Sequence, residues 1–464
     1  MKKMGTDFTK GKVESKLIKF AIPIIIGNIL MQLYQYTDSV IVGRFVGKEA
    51  LAAIGATTPF VFMLVSLVIG ISIGSTVLIA QFFGKNEIEN IRKASDSLYI
   101  FLFFAAVVIT SIGLIFNRYI MELISLPSEI IPLATSYLNI YLFGLIFLFL
   151  FNSLSAILRG LGDSKSPLYF LVFSSIINIL LDLLFVAYFD FGIKGAAWAT
   201  VISQLFAIVF ATWFISKRNS LISLNPLKMR FDKNIFLKSI KIGIPAGAQQ
   251  LFVSMGMMAI LSFVNSYGTD TIAGYTAASR IEAFVFVIPM NLSMAITTFT
   301  AQNYGANQIE RVKKGVNASM KISMIASIVV LILLSALAPP LMKMFSSDTE
   351  VIATGASYLY VLGFSYAIFC AMFCYMGALR GMGNTIVPMF ITLFSLWLVR
   401  VPLAKVLSQT SLGELGIWLS GSLSWLAGAI TAYIYYRKGY QKQIIKINKE
   451  VIENADLAAT EGIF

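Results

Sequence analysis

The sequence predicts an all-α integral membrane protein: twelve transmembrane helices in two six-helix lobes related by a parallel internal repeat. Three observations carry that prediction. First, the residue at position n returns at n + 221 along most of the chain. Gln81, Gly84, Asn86 and Glu89 return as Gln302, Gly305, Asn307 and Glu310, and Arg159, Gly160, Gly162 and Pro167 return as Arg380, Gly381, Gly383 and Pro388. Only near the start does the spacing slip by one, where Lys19 and Pro23 answer Lys241 and Pro245. Second, 58% of the residues are hydrophobic, 13% are charged and the mean hydropathy is +0.81, whereas a soluble domain carries about 25% charged residues. Third, apolar runs such as Leu98 to Phe116, Ile140 to Leu158 and Leu168 to Phe189 approach the roughly 20 residues a spanning helix needs. No period-two alternation accompanies them, which argues against a β-barrel.

The elements follow in order. The N-terminus is basic (Lys2, Lys3, Lys10, Lys12, Lys16, Lys19), but the apolar run from Leu17 is long and lacks a small-residue cleavage site. It reads as a first helix that stays rather than as a signal peptide. Hydropathy places that helix at roughly 17–42 and the rest of the first copy at roughly 52–82, 95–117, 134–158, 167–189 and 195–216. Arg159-Gly-Leu-Gly162 joins the fourth span to the fifth. It lacks the Lys-Ser/Thr of a phosphate loop, so it reads as a tight turn with Arg at the lipid headgroups. A charged linker carrying Asn225-Pro226 occupies 217–238. The second copy gives spans at roughly 239–264, 273–302, 316–338, 355–379, 387–407 and 416–437, with Arg380-Gly-Met-Gly383 repeating the turn. The lobes are therefore 1–216 and 239–437, followed by a polar tail at 438–464 that reads as a short helix or as disorder. Pro23, Pro59, Pro245 and Pro289 lie inside spans, as bends or as kinks that packing tolerates. Cys370 and Cys374, one helical turn apart in an apolar stretch, read as small packing residues rather than as a disulfide or metal pair.

Six spans per copy is an even number, so both copies face the same way across the membrane. Of the 36 Lys and Arg, 28 fall on the side holding both termini, six fall on the other side, and Arg280 and Arg400 lie within spans. The positive-inside rule then places both termini in the cytoplasm of a multi-pass inner-membrane protein. The net charge of +13 faces anionic lipid rather than nucleic acid.

A charge within hydrocarbon is costly, so each intramembrane one is a functional candidate. Asn28, Gln32, Gln35 and Asp38 form one polar stripe on the first helix at spacings of four, three and three. Such a stripe faces protein or water. Asn178 and Asp182 share a face of the fifth helix, and Asp182 lies at a depth similar to that of Asp38. The two acids could share a proton, or hold a sodium ion with Asn178 as a neutral oxygen ligand. Helix-to-helix hydrogen bonding is the alternative. Arg280 and Glu282 are two apart and point to different faces, so they do not pair simply. They mark a second coupling or substrate site, or a structural ion pair with a neighbouring helix. Arg400, five residues from Lys405, is expected to snorkel outward. The chain has no histidine, so proton chemistry falls on carboxylates. No metal set is firm, and no cofactor is expected.

Several segments resemble the multidrug and toxic compound extrusion (MATE) family. They are Thr37-Asp-Ser-Val-Ile-Val-Gly-Arg-Phe-Val-Gly47, Ala50-Leu-Ala-Ala-Ile-Gly55 and Ala80-Gln-Phe-Phe-Gly84 in the first lobe. In the second they are Ala278-Ser-Arg-Ile-Glu282 and Thr300-Ala-Gln-Asn-Tyr-Gly-Ala306. The paired Arg-Gly-x-Gly turns fit as well, and the resemblance covers both lobes. It implies cation-coupled export of amphipathic, often cationic compounds. Asp38 matches the family's first-helix acid, and Asn178 with Asp182 matches a polar pair that some members carry on helix five. Another branch has a glutamate on helix seven, eight residues after the proline. Here that position is Val253, which shifts the expectation to the first lobe.

These readings combine into an antiporter driven by protons or sodium, working by alternating access and acting as a monomer. Its partners are the lipid bilayer and a small amphipathic substrate, with no nucleic acid. Tyr34, Gln35, Gln249, Met255 and Met258 are the expected lining of an adaptable substrate cavity. A flippase for a lipid-linked oligosaccharide shares the architecture, but its anionic cargo calls for more cavity cations than Arg280 and Arg400. A membrane-embedded transferase needs clustered Asp-rich or His motifs, which are missing from the sequence.

Overall fold

The computed structural model describes residues 5–123, 126–218 and 228–461. Twelve helices in it are long and apolar enough to cross a membrane. The first six are α1 (Val13–Phe45), α2 (Lys48–Lys85), α3 (Ile88–Leu123), α4 (Ile131–Gly160), α5 (Lys165–Tyr188) and α6 (Gly192–Arg218). The second six are α7 (Lys233–Asn265), α8 (Thr269–Gly305), α9 (Ile309–Lys343), α10 (Thr349–Gly381), α11 (Ile386–Ser408) and α12 (Glu414–Glu461). No strand occurs among the described residues.

Every predicted span is present, and most helices run further than hydropathy alone marks. The 38 residues of α2 cover about 57 Å at 1.5 Å per residue, nearly twice the roughly 30 Å hydrocarbon core. Hydropathy sees the part in lipid, while the helix continues into polar surroundings. The same effect corrects the tail: residues 438–461 continue α12 unbroken rather than forming a separate element. Of the predicted linker, Lys217 and Arg218 finish α6, and 219–227, with Asn225-Pro226, lie outside the described residues. α7 then starts at an Asp232 cap, whose Oδ1 accepts from the Ile235 amide at 3.0 Å.

The repeat governs the chain reversals. Left-handed or positive-φ residues recur in register as Gly47 and Gly268, Asn86 and Asn307, Gly162 and Gly383, and Gly192 and Gly413. Gly162 (φ 83) and Gly383 (φ 86) close the two Arg-Gly-x-Gly turns in a conformation that side chains rarely adopt. One feature of those turns differs from expectation. Arg380 turns into the protein and donates to Gln249 Oε1 at 2.8 Å, rather than reaching for a headgroup.

The chain forms two compact units that divide inside α1 and α7, not at the repeat boundary: Met1–Asp7 with Lys19–Ala248, and Phe8–Ile18 with Gln249–Phe464. Packing explains both exchanged pieces. In the first unit α7 lies backbone to backbone on α2. A Cβ on Gly74 would be 2.2 Å from the Ser239 carbonyl oxygen, and one on Gly70 would be 2.6 Å from that of Gly243. In the second unit the Phe8 ring is buried edge-on to Phe299 at 5.5 Å. The Phe8 amide donates to Gln302 Oε1 at 2.9 Å, and Arg311 donates to the carbonyls of Phe8, Lys10 and Gly11 at 2.7–2.8 Å. Elsewhere in this unit Phe286 stacks on Phe369 at 4.2 Å. Cys374 packs between the hydroxyls of Ser319 and Ser323, each 3.3 Å away, and both cysteines are free and buried. All four in-span prolines sit inside continuous helices.

Candidate functional site

The first unit gathers the predicted acids. Tyr34 and Asp38 lie one turn apart on α1, and Asn178 and Asp182 one turn apart on α5, so each pair shares a helix face. Asp182 and Asn178 are fully buried and Asp38 is half-buried. The two carboxyl groups face each other. Turned to satisfy both of its ends, the Asn178 amide donates to Asp182 Oδ2 at 2.8 Å and accepts from the Thr200 backbone N–H of α6 at 3.2 Å. The Tyr34 hydroxyl lies beside that of Thr200. From α4, Tyr137 comes within reach of the Asp38 charge and stacks with Tyr141 at 6.1 Å. One oxygen of each acid, Asp38 Oδ1 and Asp182 Oδ1, is buried without a hydrogen-bond partner.

Local structure supports this placement. A π-helical stretch, Leu183–Tyr188, begins at the residue after Asp182. Such wide turns are rare and appear frequently at functional sites. Chemically, two facing carboxylates in low dielectric repel each other strongly unless positive charge lies between them. Two orphaned oxygens offer the place for it, whether a proton or a small cation. Among the described residues no group of three or more His, Cys, Asp or Glu assembles a metal site. The rest of the predicted stripe divides: Asn28 donates to the Ile24 carbonyl of its own helix at 3.2 Å, and Gln35 is exposed.

The second unit does not join Arg280 to Glu282. Arg280 is exposed, whereas Glu282 is buried with the Tyr358 hydroxyl facing it. Arg400 corrects the sequence expectation. It does not snorkel outward but is 9% exposed inside the unit. It closes a second π-helical stretch, Phe394–Arg400, and its guanidinium lies beside Gly421 of α12. Above this site Glu414 accepts from Thr271 at 3.0 Å and Thr354 at 3.1 Å, tying α8, α10 and α12 together.

Of the expected cavity residues, Tyr34 belongs to the acid site, and Gln35, Met255 and Met258 are exposed. Gln249 is buried, with Nε2 donating to Thr392 at 2.6 Å and Oε1 held by Arg380. Sequence reasoning missed Thr200, Tyr137 and Tyr358. The repeat carried a signal for two of them, because Ser136-Tyr137-Leu138 returns as Ser357-Tyr358-Leu359. Thr200 is unremarked by any pattern.

The sequence profile of the MatE family matches residues 23–184 and again 245–406. The chain is 31% identical over 436 residues to the probable multidrug resistance protein YpnP of Bacillus subtilis, covering 94% of this chain and 97% of that one. It is 26% identical to the probable multidrug resistance protein NorM of Thermotoga maritima, covering 95% and 96%. Among solved structures, an outward-facing multidrug resistance MATE transporter of the MOP superfamily superposes with a TM-score of 0.88 at 24% identity, covering 96% of this chain and 99% of that one. That last likeness speaks to the fold.

Proposed function

We propose that this chain, a multi-pass membrane transporter belonging to the MatE family, whose relatives include probable multidrug resistance proteins, is a cation-coupled antiporter exporting amphipathic, often cationic compounds. The observation that carries the reading is the pair of facing carboxyls, Asp38 and Asp182, each with an orphaned buried oxygen. A cation arriving from outside bridges the two acids and removes their repulsion, and α1 and α5 settle against each other. Release of that cation to the inside restores the repulsion and the opposite arrangement. By reciprocity, cation and drug oppose each other's binding.

The orientation of Asn178 supports a proton as the coupling ion. Its amide gives Asp182 a hydrogen while its oxygen is held by Thr200, so it offers no oxygen to a sodium ion unless it turns over. Gln35, Met255 and Met258 are exposed, and the two methionines offer soft, adaptable surface for varied substrates. The charge bias supports an inner-membrane protein with both termini cytoplasmic.

The test is ethidium efflux from proteoliposomes under an imposed proton or sodium gradient, for wild type, Asp38→Asn and Asp182→Asn. Proton-driven efflux in the wild type, lost at least tenfold in both variants, is expected. Undiminished gradient-driven efflux in both variants removes the acid pair from the mechanism. Efflux driven by sodium alone replaces the proton.

A further inference from the structure

The second unit carries a cleft that the coupling scheme does not use. It encloses about 490 Å³ and is walled by Thr9 of the N-terminal segment, by Glu310, Arg311 and Lys314 at the start of α9, and by Ile444 of α12. That volume falls within the roughly 300–1,000 Å³ of small-molecule sites. Arg311 donates to the carbonyls of Phe8, Lys10 and Gly11, which fixes the N-terminal segment as one wall. Glu310, the carboxylate in the lining, accepts from the Tyr440 hydroxyl of α12 at 2.5 Å, and Lys313 lies over the Tyr440 ring at 5.8 Å. One turn earlier on α12 the Tyr436 hydroxyl is buried without a partner, its ring 6.2 Å from that of Tyr440.

The repeat shows what is unusual at this corner. At the 221-residue offset Glu89 and Lys93 return as Glu310 and Lys314, but Glu87 returns as Gln308 and Asn90 as Arg311. The corresponding corner of the first unit supplies its own anions: Lys93 pairs with Glu89 at 2.7 Å, and Asn90 donates to Glu87 at 2.7 Å. In the second unit the Glu87 carboxylate is lost, a cation is gained, and the remaining acid is held by Tyr440. Lys314 is exposed and pairs with no carboxylate among the described residues. Gln308 gives α9 no side-chain cap. The amides of Arg311 and Val312 both bond to the Gln308 carbonyl at 3.1 Å, which leaves those of Ile309 and Glu310, the first in the helix, for a ligand or for water. This corner therefore holds more donors and more positive charge than the chain itself answers.

We propose that this cleft binds the phosphate of a phosphate ester, with the Lys314 ammonium and the α9 amides of Ile309 and Glu310 as its donors. A phosphate presents several acceptor oxygens, enough to meet an ammonium and two amides at once. The cleft is larger than a bare ion needs, so the organic part of the ester has room, and Ile444 gives it an apolar side. Phospholipid headgroups and soluble phosphate esters share this chemistry, and the experiment separates them. Glu310 limits the affinity, because its charge opposes the ligand. A bound phosphate fills the space between the N-terminal segment and α9, so the occupied protein should resist unfolding better than the empty one. None of the coupling residues takes part, so the outcome is independent of the coupling reading.

The experiment is thermal melting of the purified full-length protein in detergent, titrated at constant ionic strength with sodium phosphate, with glycerol 3-phosphate, and with short-chain phosphatidylglycerol against phosphatidylcholine. A saturable rise in melting temperature is expected with at least one phosphate probe. Lys314 is exposed, so Lys314→Gln keeps the fold, and it should weaken the apparent affinity about tenfold through the loss of one charge-assisted hydrogen bond. Glu310→Gln should tighten binding, and Lys93→Gln at the corresponding corner of the first unit should leave it unchanged. A rise with phosphate or glycerol 3-phosphate assigns the cleft to a soluble ester, and a rise confined to phosphatidylglycerol assigns it to a headgroup. No rise with any probe overturns the site. A rise of equal midpoint in wild type and Lys314→Gln is the general action of phosphate on protein surfaces and overturns it as well. So does a rise lost in Lys93→Gln, which belongs to the first unit.

Discussion

Replacing Gly74 with alanine adds one carbon to the crossing of α2 and α7. That Cβ would sit 2.2 Å from the Ser239 carbonyl oxygen, 2.7 Å from the Gly243 nitrogen and 2.9 Å from the Gly243 Cα. A carbon rests about 3.3–3.6 Å from a carbonyl oxygen, so the two helices must part by about 1 Å. Both sides of the contact are backbone, and no rotamer change can absorb the overlap. Overpacking of a tight contact costs about 1–3 kcal/mol, and a rigid crossing belongs at the upper end. Gly70 lies one turn away against Gly243 and Gly247, with clashes of 2.6 Å. One separation relieves both sites, so the Gly70→Ala/Gly74→Ala double variant should cost clearly less than the sum of its parts. Gly55 provides the control on the same helix, because nothing lies within 4 Å of its added carbon. There alanine should gain up to about 1 kcal/mol of helix propensity. Thermal melting of detergent-solubilised protein, followed by size exclusion, measures all four variants. Gly74→Ala melting at or above wild type, with Gly55→Ala behaving no differently, would refute the close crossing.

Other outcomes follow from the contacts. Arg311→Ala strips the hydrogen bonds from three N-terminal carbonyls, and that of Phe8, the one in a part-buried bond, costs about 1–3 kcal/mol if left unsatisfied; limited proteolysis should cut near Lys10 and Lys12 faster than in wild type, and unchanged cleavage counts against the anchoring of this N-terminal segment by Arg311. Glu414→Ala removes the acceptor shared by Thr271 and Thr354, and should lower the melting point by the equivalent of about 2–4 kcal/mol, with Glu414→Gln in between. Cys370 and Cys374 are buried and free, so a maleimide should label neither in the folded protein and both after unfolding in denaturant. Labelling of native protein at the unfolded rate contradicts their packing.

The fold was legible because its signals are local and repeated. Twelve apolar runs and the 221-residue offset need no long-range information, and the glycines of the turns declare their own conformation. Half of the acid site was legible for the same reason: Asp38 and Asp182 are conspicuous because charge is scarce in these helices. Thr200 was not, since its part is a backbone N–H offered to Asn178, and every residue but proline has one. Arg400 was misjudged because its neighbour Lys405 suggested an outward reach, whereas the packing that buries it comes from elements distant in sequence, Gly421 of α12 among them. Unit boundaries were displaced because a repeat records how the chain was copied, while packing decides where each half of α1 and α7 settles.

The two π-helical stretches set the copies out of phase. Shifted by the repeat, Leu183–Tyr188 would fall on Ala404–Gln409, yet the wide turn of the second copy ends at Arg400. Each wide turn widens its helix at a different place, so beyond it residues that match in sequence no longer present matching faces. Each also abuts a charged residue peculiar to its own copy, Asp182 in one and Arg400 in the other. The fifth and eleventh helices are alike in frame and different in aim.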